Sequence, residues 1–163
     1  MERGDRLWLA AAAGIAGVLA LAMLALALAG VHPPSYAGTI DPARLHLTEE
    51  FAERNLGVHR NADGSVTLIM VAARYGFIPR RITLPANTAI TIRAATPDVV
   101  HGLHIPGTNI DLVVVPGFIS EVTGRIKEPG KYPMLCSEYC GIGHREMWAR
   151  VTVVPSDQFA AGE

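Results

Sequence analysis

The hydropathy of this chain divides it sharply in two. From Leu7 to Gly30 there are 24 residues without a charge, rich in alanine and leucine. At about 1.5 Å per residue such a helix spans the roughly 30 Å hydrocarbon core of a bilayer. The pattern predicts one membrane-spanning helix. A cleaved leader is the competing reading, because Ala25-Leu26-Ala27 resembles a cleavage site. The apolar run is, however, longer than the usual apolar segment of a leader, so an uncleaved anchor is expected. Arg3 and Arg6 precede the run and the next basic residue is Arg44. Positive flanks stay inside, which places the N-terminus in the cytoplasm and everything after Val31 outside. Gly14 and Gly17 on the anchor allow close helix approach and hint at a membrane partner.

Beyond the anchor, His32-Pro33-Pro34-Ser35-Tyr36-Ala37-Gly38 cannot continue a helix and reads as a linker. Asp41-Pro42 looks like an N-cap followed by proline at the first helical position, and Gly57 like a stop. One short helix near the membrane surface is expected there, with Glu49, Glu50 and Glu53 on a solvated face. From Gly64 onward the period becomes two. Val66, Leu68 and Met70 alternate with Thr67, Ile69 and Val71, a run apolar enough for burial on both faces. Turns at Asn61-Ala62-Asp63-Gly64, Pro116-Gly117 and Pro129-Gly130 punctuate the segments. Strands are expected at about 66–74, 81–84, 88–95, 99–105, 110–115, 119–126, 131–136 and 147–154. Short strands without a long helix between them make a β-sandwich or Greek-key barrel.

The 163 residues suit one ordinary domain with an accessory segment. The expected division is a cytoplasmic stub and anchor over 1–31, a linker with the short helix over 32–63, and the β domain over 64–163. A net charge of −1 excludes the basic stripe of a nucleic-acid binder. From Gly57 to Glu163 ten Lys/Arg face nine Asp/Glu, so steering of a partner by net charge should be weak.

Candidate chemistry is concentrated in one place. Cys136, Cys140, His144 and Met147 fall within twelve residues. Thiolate and thioether sulfur select copper, and imidazole suits it equally well. Cys140, His144, Met147 and one upstream histidine would complete a mononuclear blue-copper set, which leaves Cys136 one thiolate too many. Two thiolates four positions apart can instead bridge two copper ions, with a histidine closing each end. His101, on the strand expected at 99–105, is the best distant ligand, and the Glu138 backbone carbonyl is well placed as a weak axial ligand. The duller readings are a Cys136–Cys140 disulfide and a zinc site. The first leaves His144 and Met147 to coincidence, and the second has no use for Met147. Strand alternation points His104 away from His101, so it reads as structural. His32, His46 and His59 read as linker or surface residues, and Tyr75 and Phe77 as core or rim aromatics.

These residues resemble a known family. The Cys-x3-Cys-x3-His-x2-Met loop, the distant His101 and the N-terminal anchor are together similar to subunit II of haem–copper cytochrome c oxidases. The likeness runs over roughly Val66 to Val154. It includes Tyr75-Gly76-Phe77-Ile78-Pro79, Thr96-Pro97-Asp98-Val99-Val100-His101-Gly102, Gly107-Thr108-Asn109-Ile110 and Glu128-Pro129-Gly130-Lys131-Tyr132. The single anchor and the His-Gly-x-His segment resemble the shorter B-type branch. The resemblance implies a cupredoxin-like Greek-key β-barrel and a dinuclear CuA centre of two copper ions. In that centre Cys136 and Cys140 would bridge, His101 and His144 would each ligate one copper, and Met147 and the Glu138 carbonyl would be weak axial ligands. It further implies electron transfer from a cytochrome c to haem in a membrane-embedded subunit I, on the outer face of the cell membrane. The aromatic cluster through which mitochondrial-like relatives often accept electrons is not recognisable.

Two rivals remain at the sequence level. Some nitric oxide reductases use a similar CuA-bearing small subunit, and a membrane-anchored copper carrier would bind the metal without passing electrons. Six histidines leave no room for the second copper cluster of nitrous oxide reductase. Quinol oxidase subunit II lacks the copper ligands found here.

Overall fold

The computed structural model describes residues 3–28 and 37–160. The linker around His32 lies outside the described residues, apart from its last two positions. Two compact units divide the chain, Met1–Pro33 and Pro34–Glu163.

The first unit is the helix α1, Arg3–Leu28. Its segment Gly4–Leu26 is long and apolar enough to cross a membrane. The segment is apolar on every face, a composition that suits a lipid surround.

The second unit is a two-sheet sandwich. One sheet contains β1 (Gly38–Thr39), β9 (Phe118–Gly124), β6 (Ile90–Ala95), β3 (Val66–Ala73) and β2 (Gly57–Arg60) in that order, with β4 (Gly76–Ile78) paired to β3. The other runs β5 (Arg81–Pro85), β11 (Trp148–Val154), β10 (Gly130–Leu135), β7 (His101–His104) and β8 (Asp111–Val114). The β3/β6 and β5/β11 pairs are parallel and the rest antiparallel. All eight expected strands are present. Of the additional ones, β1 and β4 are too short for a period to register, and β2 is as long as β7 but has Val58 as its one strongly apolar residue.

Between the sheets lies one contiguous core, built from Val66, Leu68, Met70, Ile90, Ile92, Leu103, Met134 and Val151 among others. Cys136, Cys140 and Met147 belong to this same core. The ligand loop is therefore anchored in the best-packed part of the molecule.

The helix expected between Asp41 and Gly57 does not form. Two 3-10 turns, Pro42–Leu47 and Glu53–Asn55, stand in its place. Asp41 does act as the N-cap, its side chain accepting from the Ala43 amide. The helix stops at Thr48, whose backbone is extended and whose hydroxyl donates to the Leu45 carbonyl. Here a side chain competes with the backbone for the helical hydrogen bonds. Gly57 opens β2 at φ +130° instead of capping a helix.

The segment earns its order through packing. Leu45 and Phe51 form a second buried cluster with Val71 and Ala95, joined by Ile40, Leu56, Ile69 and Ile119. This cluster covers the outer face of β3 and β6, which is why β3 is apolar on both sides. Burying a side chain such as Phe51 contributes roughly 1.5–3 kcal/mol. Glu50 is not simply solvated, because Arg93 on β6 forms ion pairs with both Glu50 and Glu121 of β9.

Candidate metal centre

The site forms where β7, the end of β10 and the start of β11 meet. Its loop is closed at the base by the Cys136 amide donating to the Met147 carbonyl, 3.1 Å. That bond continues the β10/β11 ladder by one step beyond Leu135 and Trp148. Within the loop, His144–Glu146 form a 3-10 turn, with the His144 amide donating to the Gly141 carbonyl at 3.1 Å.

Two glycine features permit this shape. Gly141 has φ +129°, a region that side chains rarely adopt, and a Cβ there would sit 2.6 Å from Tyr75 Oη. The Tyr75 ring lies against the Gly141-Ile142-Gly143 backbone and is 44% exposed, whereas Phe77 two residues on is buried. On the other side, a Cβ at Gly102 would stand 2.7 Å from the Glu138 amide nitrogen. Absence of a side chain there lets β7 approach the Ser137–Glu138 backbone.

The expected ligands converge. Cys136 and Cys140 are both free and buried, with Sγ atoms 3.8 Å apart. A disulfide needs about 2.05 Å, so these sulfurs are separate donors. His101 Nδ1 is 3.9 Å from Cys136 Sγ, and His144 Nδ1 is 3.6 Å from Cys140 Sγ. The Cys136 thiol donates to the Glu138 carbonyl at 3.2 Å, and Cys140 Sγ lies 3.7 Å from Met147 Sδ. Each sulfur thus has one imidazole and one weak donor beside it. The potential ligand atoms of His101, Cys136 and Cys140 all lie within 4.8 Å of one another. His104 is not among the converging donors. Its Nδ1 stands 3.6 Å from the Asp111 carboxylate, away from the sulfurs.

Asp98 orients His101, a role that motif spacing does not signal. His101 is fully buried, and its Nε2 lies 2.9 Å from Asp98 Oδ1. Burial alone would raise the Asp98 pKa. Hydrogen bonds from the Arg74 amide, His101, the Val99 amide and the Thr96 hydroxyl outweigh it and hold the carboxyl well below its usual range. An ionised carboxylate only accepts, so the proton of neutral His101 sits on Nε2. The Nδ1 lone pair is then free to point at the sulfurs, as metal-ligating histidines require. The Cys140 thiol is pushed up to about 11, by burial first and by Cys136 second. At neutral pH it keeps its proton until a metal ion displaces it.

The donor set fits copper. Two thiols, two imidazoles, a thioether and a carbonyl outnumber the four Cys or His ligands of structural zinc, and the Met147 thioether is a donor that suits copper. Fold and site together define a cupredoxin-like domain with a sulfur-rich candidate metal site, on a chain with one apolar N-terminal helix.

Comparison with known proteins narrows this further. Residues 64–154 match the family model for the periplasmic domain of cytochrome c oxidase subunit II. Cytochrome c oxidase subunit 2 of Thermus thermophilus is 34% identical over 130 residues, 80% of this chain and 96% of that protein. The probable cytochrome c oxidase subunit 2 of Rickettsia prowazekii is also 34% identical, over 50% of this chain and 26% of its own. Among solved structures, a subunit of a heme-copper terminal oxidase dimer aligns with a TM-score of 0.63 at 24% identity. It covers 93% of this chain and 100% of its own. The periplasmic domain of subunit II from Bradyrhizobium japonicum aligns at 0.51 and 19% identity, over 56% of this chain and 86% of its own. The chain belongs to the cytochrome c oxidase subunit II family.

Proposed function

We propose that this protein is the electron-accepting subunit of a haem–copper terminal oxidase. It would take single electrons from a cytochrome c at a dinuclear copper centre and pass them to haem in a membrane-embedded subunit I. The observation that carries this reading is the pair of unoxidised sulfurs 3.8 Å apart, each with its own imidazole and weak donor. Cys136 and Cys140 would hold the two ions through their sulfurs, with His101 and His144 each giving one imidazole donor and Met147 and the Glu138 carbonyl serving as weak donors. A copper pair of this kind supplies one-electron chemistry with the charge spread over both ions.

The chain's own residues supply rigidity and exclusion of water. Asp98 fixes the ring of His101, Tyr75 backs the loop, and the loop is held between strands β10 and β11 of one packed core. Ligands held in place before the electron arrives need little rearrangement when it does. Arg3 and Arg6 would keep the N-terminus in the cytoplasm and the β domain outside.

The deciding experiment purifies the full chain in detergent, loads it with copper, and combines metal counting with electron paramagnetic resonance. Two coppers per chain sharing one unpaired electron are expected. A single blue site, or a loop that retains only zinc, overturns the dinuclear assignment. Cys136→Ser should leave at most a mononuclear site; persistence of the shared-electron signal would remove Cys136 as a bridge.

A further inference from the structure

The outer face of the five-stranded sheet has a charge pattern that the copper centre does not explain. Arg81 on β5 and Arg150 on β11 are direct partners across a parallel strand pair. Arg80 adjoins them, and its carbonyl accepts from the Arg150 amide at 2.9 Å. All three side chains are exposed. Among the described residues no carboxylate pairs with any of them; ion pairs are formed elsewhere, by Arg44, Arg54, Arg74 and Arg93.

Like charges placed directly opposite one another weaken a sheet. Cross-strand pairing therefore gives no reason for Arg81 beside Arg150. The arginines surround Trp148, with the guanidinium carbons of Arg80 and Arg150 at 5.7 and 5.9 Å from its ring centre. Together the four residues line a shallow groove of about 240 Å³. Lys131 and the apolar Pro133 and Leu135 point to the same side of the neighbouring strand β10. On the strands of this sheet the only acidic residue is Asp111, at the far edge on β8.

Position gives the patch its meaning. Trp148 and Leu135 are register partners, and each adjoins a proposed ligand, Met147 and Cys136. The groove thus begins one residue outside the metal centre, on the opposite side of the sheet from the core. Arginine and tryptophan beside exposed apolar residues are also what well-packed protein interfaces concentrate.

We propose that this face docks an acidic redox protein, a one-electron carrier with carboxylates around its exposed redox edge. The inference rests on the proposed function and names the chemistry of the donor. A balanced net charge hides a local basic field at the point where an electron would arrive. In the encounter one electron leaves the donor and reduces the copper centre, with no bond or proton exchanged.

The test uses the full copper-loaded chain in zwitterionic detergent and a reduced cytochrome c of net negative charge. Its second-order rate of electron transfer is followed against ionic strength, beside a cytochrome c of net positive charge. The acidic protein should react faster at low salt and slow as salt is added, because screening removes the attraction. Arg81→Glu and Arg150→Glu should each slow it by about tenfold at low salt, with an unchanged copper spectrum and convergence at high salt. Lys127→Glu makes the same change in net charge on an exposed loop residue outside the groove lining and should have little effect. Equal effects of all three variants, or a rate indifferent to salt, would overturn the proposal. So would an effect seen only in bilayers containing anionic lipid, which would assign the face to headgroups. Sedimentation of the oxidised pair reports binding without electron transfer. A chain that binds the acidic cytochrome yet holds no copper pair defeats the proposed function and leaves the docking face standing. A chain with the full spectrum that ignores the acidic partner does the reverse.

Discussion

Asp98 is the residue on which the geometry of His101 depends. Its carboxylate accepts from the Arg74 amide, the Val99 amide, the Thr96 hydroxyl and the imidazole. Asp98→Asn keeps the shape but removes the charge that pins the proton to Nε2. Copper affinity should fall by about 10- to 100-fold, the usual cost of losing a partner behind a ligand. A competition titration against a chelator of known affinity measures it, and an unchanged affinity would show that packing alone orients His101. At this scale the sequence was informative but incomplete. Cys136, Cys140, His144 and Met147 stand close enough in the chain for their spacing to announce a site. Asp98 was visible only as part of the segment leading to His101, because a carboxylate three residues from a histidine has many uses.

At the scale of elements, the ligand loop and the segment over β3 illustrate two kinds of legibility. The loop needs a glycine at 141 for both dihedral and space. Gly141→Ala should destabilise the domain by roughly 1–3 kcal/mol, the cost of holding a side chain in a sparsely populated backbone region. Denaturant unfolding of the metal-free chain checks this; a midpoint equal to wild type would mean that Tyr75 and the loop yield freely. Strands of four to eight residues between clear turn signals are legible in the pattern, and even the two-sided burial of β3 is evident in its composition. The segment from Asp41 to Gly57 carries the pattern of one helix and forms two 3-10 turns instead. Asp41 caps the first of them, but Thr48 ends it and the order comes from Leu45 and Phe51 packing on a sheet. Short-range patterns do not record a surface contributed by distant strands.

Two compact units divide the chain, Met1–Pro33, whose described residues form the helix Arg3–Leu28, and Pro34–Glu163, which carries the β sandwich. Every proposed ligand and the whole core lie in the second unit. Removing Met1–Pro33 should therefore yield a water-soluble domain that still takes up copper with the spectrum of the full chain. Aggregation, or a changed metal content, would mean that the anchor contributes to the fold. The same scale holds the basic groove on the outer sheet face, which fourteen Lys/Arg against fifteen Asp/Glu conceal in any sum along the chain.

The membrane-spanning length, the strand order along the chain and the ligand types follow from short-range physics. Hydropathy over one helix length, alternation at period two and donor softness are properties of neighbouring residues. Bringing His101 beside Cys136, closing Asp98 behind it and setting Arg81 against Arg150 are different matters. They depend on which strands pair and in what register, and that is settled by the burial of a shared core whose contacts join residues far apart in the chain.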